Sequence, residues 1–151
     1  MSQMQMIKDS FLTVNSLMWQ VIKQLTKIKK QDLDKFGLTC SQFEILSAIY
    51  HFSVNDEEII QIDLSERTQI DPMTTSTILR NLQRKGFITR TRSPVNTRTI
   101  IVRITPLGEE LYRKALSKVG KTSKLIYQNI DKKLLVSQLI ILSDKLNKLN
   151  F

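Results

Sequence analysis

One cysteine, one histidine and one tryptophan stand in 151 residues, with four glycines and three prolines. The lone thiol, Cys40, forms no intramolecular disulfide, which fits a reducing compartment. The lone histidine, His51, precludes a His-x-x-x-His helix pattern, and paired cysteine spacing is absent. A metal site is therefore not expected, and His51 with the following Asp56, Glu57 and Glu58 reads as a solvated loop. No convergent acid, base and nucleophile is visible, so neither an enzyme nor a cofactor is expected. No apolar run approaches the roughly 20 residues needed to cross a bilayer. The N-terminal MSQMQMIKDS lacks a basic start followed by an apolar core, so a cytoplasmic protein without membrane partners is expected. Internal repeats, low-complexity tracts and linkers are missing too.

A local absence says more. From Pro72 to Ile104 there is no Asp or Glu, while seven basic residues occur: Arg80, Arg84, Lys85, Arg90, Arg92, Arg98 and Arg103. A surface that excludes acids this completely suits a polyanionic partner. The whole chain carries net charge +9, with 23 basic residues against 14 acidic ones. That balance implies salt-sensitive affinity for nucleic acid or an anionic membrane surface. A hydrophobic share of 41% and a charged share of 25% are those of a soluble globular protein, long enough for one domain and short for two.

The acid-free stretch divides by its chemistry. Asp71 can cap a helix start, and Pro72 suits the first helical position, where its missing N–H costs nothing. Thr75, Ile78, Leu79 and Leu82 follow at i, i+3, i+4, i+7 and form one buried stripe. The opposite face carries Met73, Thr74, Ser76, Thr77, Arg80, Asn81 and Arg84. Hydroxyls near a helix N-terminus followed by Arg and Asn are types that read base edges and phosphates in a major groove. Gly86 ends the helix as a left-handed cap. Phe87 to Arg92 and Thr99 to Ile104 are rich in β-branched residues, with Ile100, Val102 and Ile104 on one face at period two. Ser93 to Arg98 is turn-forming. Helix, glycine, strand, loop, strand reads as a winged helix-turn-helix with a small antiparallel wing sheet, in a mainly α chain. Arg98, near the loop end, is expected at a minor groove, whose negative potential favours arginine.

Upstream lies the scaffold. Thr39 with Gln42, or Ser41 with Glu44, fits a capping box, and Phe43, Leu46, Ile49 and Tyr50 supply a buried helix face. Val54 to Glu58 is loop-like, Ile59-Ile60-Gln61 a short third strand, and Ile62 to Thr68 the first helix of the helix-turn-helix. In that helix Leu64 points inward and Arg67 lies near the DNA backbone, and Gln69-Ile70-Asp71 makes the turn. At the N-terminal end Ile7, Phe11, Val14, Met18, Val21, Leu25 and Ile28 form a seam over three heptads, widened by Leu17, Trp19 and Ile22. At the other end Leu135, Leu139, Leu142, Leu146 and Leu149 repeat the rhythm after a cap at Asp131. A helix from Leu107 to Ile130, with Leu107, Leu111, Leu116, Val119 and Ile126 apolar, joins the wing to that base. Arg113, Lys114 and Lys118 read as its solvated face, because Glu109 and Glu110 sit close by.

Taken together, these residues resemble the multiple-antibiotic-resistance regulator (MarR) family of bacterial and archaeal transcription factors. The resemblance rests on Leu38-Thr39 with Gln42 and Leu46, then Leu64-Ser65, Ile70-Asp71 and Leu82-Gln83-Arg84-Lys85-Gly86-Phe87-Ile88. It continues through Arg90, Asn96-x-Arg98 and Ile104-Thr105-x-x-Gly108. It departs at Asn96, where the family usually has an acid that helps hold the wing arginine, at Thr77, where Arg is common, and at Arg80, where an acid is common.

The resemblance implies one MarR-like domain over 1–151, with the winged helix at about 38–105 and dimerisation helices at about 4–31 and 107–150. The first and last helices would intertwine with those of a second subunit. Such a homodimer would set two recognition helices about 34 Å apart and demand a pseudo-palindromic site on double-stranded DNA. Thr74, Ser76, Thr77, Arg80 and Asn81 are then expected at bases, Arg84 and Arg90 at phosphates, and Arg98 in the minor groove. The resemblance also implies a crevice for a small aromatic effector where the dimer helices meet the winged helix. Trp19, Phe43, Tyr50 and His51 are its candidates, against the alternative that they are ordinary core. Family thiol sensors lie in the first long helix, which has no cysteine here, so Cys40 is expected to be structural. The expected function is a sequence-specific dimeric repressor. The alternative is a dimeric helical interaction protein that has lost DNA readout, toward which only Asn96 leans.

Overall fold

A computed structural model describes residues 10–149. The expected helix residues 4–9, with Ile7 of the seam, and Asn150 lie outside the described residues, as does the side chain of Phe11. In chain order the elements are α1 (Ser10–Asp34), α2 (Cys40–Val54), β1 (Ile59–Ile60), α3 (Gln61–Thr68), α4 (Pro72–Arg84), β2 (Ile88–Arg92), β3 (Ile100–Ile104), α5 (Pro106–Ile126) and α6 (Lys132–Leu149). They fall into two units that part between Val119 and Gly120, within α5.

In the first unit α2 is the central helix. Thr39 caps it through the full box: its hydroxyl accepts from Gln42 N–H at 3.1 Å, and Gln42 Oε1 accepts from Thr39 N–H at 3.0 Å. Phe43, Ile45, Leu46, Ala48 and Ile49 are all buried, whereas Tyr50, expected on the inner face, is half-buried. The burial of two adjacent residue pairs shows a helix packed on more than one side. Leu33, Leu64, Leu79, Leu82, Ile88 and Val102 close around it. Each large aliphatic side chain so buried contributes about 1.5–3 kcal/mol. His51 differs from expectation: α2 runs on through Val54, so His51 is an exposed residue of its last turn rather than of the loop.

The sheet has strand order β1-β3-β2, antiparallel throughout, with Ile59 opposite Val102 and Ile88 opposite Ile104. On β3 Ile100, Val102 and Ile104 share one face, as their period-two spacing requires, with Val102 buried and the other two half-buried; on the opposite face Ile101 is buried and Arg103 exposed. Gln61, expected in the third strand, is instead the first residue of α3.

The α4–β2 junction is a Schellman turn: Phe87 N–H donates to Leu82 O and Gly86 N–H to Gln83 O, with Gly86 at φ +83°. The start of α5 is locked onto it. Thr105 donates from its N–H to Phe87 O at 3.0 Å and from its hydroxyl to Gly86 O at 2.6 Å. Gly108 N–H in turn donates to that hydroxyl. A Cβ at Gly108 would lie 2.0 Å from Phe87 O, so only glycine permits this approach.

In the second unit α5 ends at Ile126, short of the expected Ile130. Asn129 turns the chain at φ +63°, and Asp131 accepts from Leu134 N–H at 3.1 Å, as a cap there requires. No residue of α6 is buried; Leu139, Leu142, Leu146 and Leu149 of the expected stripe are exposed. In α1, likewise, Val14, Leu17, Trp19, Val21 and Ile22 are exposed.

Candidate nucleic-acid interface

Helices α3 and α4 are joined by a turn in which Gln69 adopts φ +59°. Their angle is held by one carbonyl. Ser65 and Thr75 are the buried polar residues among those described, and both hydroxyls donate to Ile70 O, at 2.5 and 3.3 Å. Neither buried hydroxyl is left unpaired, which would cost about 1–3 kcal/mol.

Helix α4 buries Thr75, Ile78, Leu79 and Leu82, the stripe expected from spacing. Asp71 caps it, accepting from Thr74 N–H at 2.8 Å and from the Thr74 hydroxyl at 2.6 Å. These bonds, the hydroxyl's first, hold the Asp71 carboxyl below the usual carboxylate range despite some opposing desolvation. The Thr74 hydroxyl proton is thereby committed to the cap. Thr77 donates to Met73 O at 3.1 Å and accepts from Arg80 Nη2 at 3.3 Å. Ser76 is half-buried, and Asn81 has its Oδ1 buried without a hydrogen-bond partner, so that oxygen as it stands does not accept from a base. Thr74, Thr77, Arg80 and Arg84 are exposed.

Arg90 is half-buried on β2 and held by two neutral side chains. Its Nε donates to Gln83 Oε1 at 2.7 Å and its Nη1 to Gln61 Oε1 at 3.2 Å. Burial, then the nearby charge of Arg80, lowers its pKa from the ordinary guanidinium value, but an arginine stays protonated at neutral pH. The glutamines thus orient the cation without neutralising it. Arg103 is different, being paired with Glu58 at 2.8 Å. Among the described residues Arg80, Arg84, Arg90, Arg92 and Arg98 pair with no carboxylate.

The wing tip is closed by its own polar side chains. Ser93 Oγ accepts from Val95 and Asn96 N–H, and Asn96 Oδ1 accepts from Arg98 N–H at 3.1 Å. Ser93 N–H pairs with Thr99 O at 2.8 Å. Asn96 thus organises the Arg98 backbone, while the exposed Arg98 guanidinium is bound to no acid.

A family model described as the MarR family matches residues 38–100. SarZ, an HTH-type transcriptional regulator of Staphylococcus haemolyticus (strain JCSC1435), is 30% identical over 104 residues, covering 68% of each chain. The chain belongs to the MarR family. It is a transcriptional regulator of the winged helix-turn-helix, DNA-binding kind. S. aureus MepR in its DNA-binding conformation has the same fold, with TM-score 0.78, 22% identity and coverage of 91% of this chain and 98% of that one. So does CouR from Rhodococcus jostii RHA1 bound to p-coumaroyl-CoA, with TM-score 0.75, 18% identity and coverage of 85% and 88%.

In this MarR-family chain the four effector candidates do not form one group. Phe43 and Tyr50 pack on Tyr112, with ring centroids 5.4 and 4.8 Å away, and His51 lies edge-on to Tyr50 at 5.8 Å. Trp19 instead lines an open apolar surface on α1 with Ile22, Lys23 and Lys27. Cys40 is a half-buried free thiol at the start of α2. Arg67 stacks on Phe52 at 4.9 Å. Arg113 and Lys114 pair with Glu109 and Glu110 one turn away, and Lys118 with Asp32. Sequence reasoning passed over Tyr112, whose hydroxyl shares a hydrogen bond with Ser47 at 2.9 Å, and the glutamines that hold Arg90. A tyrosine beside Leu111 on an apolar helix face was a signal for the first. Nothing local signals the second.

Proposed function

We propose that this chain is a homodimeric repressor that binds a pseudo-palindromic duplex operator in the cytoplasm through α4 and the wing. The observation that carries the reading is the set of five arginines, Arg80 and Arg84 on α4, Arg90 and Arg92 on β2 and Arg98 in the loop before β3, none of them paired with a carboxylate among the described residues. Like charges held together repel unless an anion joins them, and a phosphate backbone is that anion. In this reading Arg84 and Arg90 take phosphates, Arg98 enters the minor groove, and Thr74, Ser76, Thr77, Arg80 and Asn81 lie along base edges. The DNA-binding conformation of MepR, similar in fold, supports it.

The homodimer is supported by apolar surface that the single chain leaves in water: Val14, Leu17 and Val21 on α1, and Leu139, Leu142, Leu146 and Leu149 on α6. Release by a small aromatic effector is supported by the ligand in CouR and by the Phe43, Tyr50, Tyr112 cluster. The winged helix at about 38–105 and flanking dimerisation helices act as one functional unit.

Fluorescence anisotropy on DNA from upstream of the chain's own gene, against scrambled DNA across a salt series, tests the reading. Binding that prefers the upstream fragment and persists at physiological salt is expected. Equal, weak binding to both that vanishes with salt would reduce the arginines to general charge attraction.

A further inference from the structure

Along α4 the most outward line of side chains is Met73, Thr77, Arg80 and Arg84, spaced i, i+4, i+7, i+11 and opposite the buried Thr75, Ile78, Leu79 and Leu82. The last three of these outward residues are polar or cationic. Met73 is neither, and it is 81% exposed in the first turn. It sits where recognition helices meet base edges, at the N-terminal end.

Its place on that line is fixed from both sides. Pro72 sets the preceding backbone angle, Asp71 caps the turn through Thr74, and Thr77 donates to Met73 O while accepting from Arg80. The thioether therefore projects from a rigid turn, with uncompensated cations following it along the helix. A side chain with no donor hydrogen, no charge and only a weakly accepting sulfur has nothing to offer the carbonyl and N7 acceptors of a base edge and little to offer its amino groups. The one apolar group that a major groove displays is the C5-methyl of thymine.

We propose that Met73 is a specificity-determining residue that recognises a thymine through its methyl group, at the position in each half-site facing the first turn of α4. The proposal rests on the DNA-binding reading above and adds a feature of the operator: a thymine whose methyl contributes to affinity. Packing the flexible, polarisable side chain against the methyl removes apolar surface of both from water. One such contact corresponds to about a fourfold gain in affinity per half-site.

The test begins with selection of bound sites from a randomised duplex library by the full chain. Each thymine of the selected site is then replaced by deoxyuridine, which deletes the methyl and keeps the pairing edge. The intact chain is expected to lose affinity by about fourfold per half-site at one position, and Met73→Ala to be insensitive to that replacement while melting like the parent. Met73→Leu, which keeps an apolar tip, should retain the penalty. If no deoxyuridine replacement matters, or if Met73→Ala keeps the same penalty, the proposal is overturned and the DNA-binding reading stands. If the library yields no enriched site, that reading fails and this one falls with it.

Discussion

Arg90 donates from Nε to Gln83 Oε1 at 2.7 Å, so the half-buried guanidinium is aimed by a side chain that carries no charge. The choice of amide over carboxylate has an electrical consequence. Gln83→Glu is nearly isosteric, strengthens the bond, and neutralises the cation. It is expected to leave thermal stability intact, weaken DNA binding, and reduce the slope of log affinity against log salt by about one unit. Anisotropy titrations at several salt concentrations measure this. An unchanged slope would mean that Arg90 meets no phosphate.

Arg98 follows the Asn96 turn and leaves its guanidinium exposed. Arg98→Ala should weaken operator binding and lower the same slope by about one unit. Asn96→Asp keeps the acceptor for Arg98 N–H and should preserve the wing tip, whereas Asn96→Ala removes it. Wild-type binding by Arg98→Ala would remove the residue from the interface.

Gly108 has room for no side chain, because a Cβ would stand 2.0 Å from Phe87 O. Relief requires the α5 start to move away from the α4–β2 turn, breaking the bonds through Thr105. Gly108→Ala should therefore destabilise the chain by about 1–3 kcal/mol, read from urea unfolding midpoints. A midpoint equal to wild type would show that the junction yields freely.

Asp71 is held below the usual carboxylate range by its bonds from Thr74. A carboxylate depressed in the folded state adds stability above its unfolded pKa, and that contribution disappears as pH falls through the folded value. Acid unfolding of Asp71→Asn, which still caps but does not titrate, should lose this part of the pH dependence. Identical acid profiles for the two proteins would show that the cap does not depend on charge.

Much of the reading head was legible because its signals are local. The Asp71-Pro72 start, the Thr75, Ile78, Leu79, Leu82 stripe and the Gly86 stop each depend on neighbours within a turn or two, and each lies where its chemistry requires. The Thr39–Gln42 box is local in the same way. Other features failed for a matching reason. Tyr50 looked buried from its place on the α2 face, but how far a side chain is covered depends on what packs against it, and Tyr50 is half-buried. Gln61 looked like strand because its helix begins at a position with no side-chain cap.

The sequence by itself determined the elements, the acid-free basic stretch and the family, since period, capping chemistry and charge are carried by near neighbours. Only the tertiary structure decided that Gln61 and Gln83, 22 positions apart in the numbering, converge on Arg90. It also decided that Ser65 and Thr75 share the Ile70 carbonyl, and that Phe43 and Tyr50 gather on Tyr112 while Trp19 stays on α1. Hydrogen bonds and ring contacts between distant positions depend on how elements pack, and no pattern within a single helix or strand encodes that.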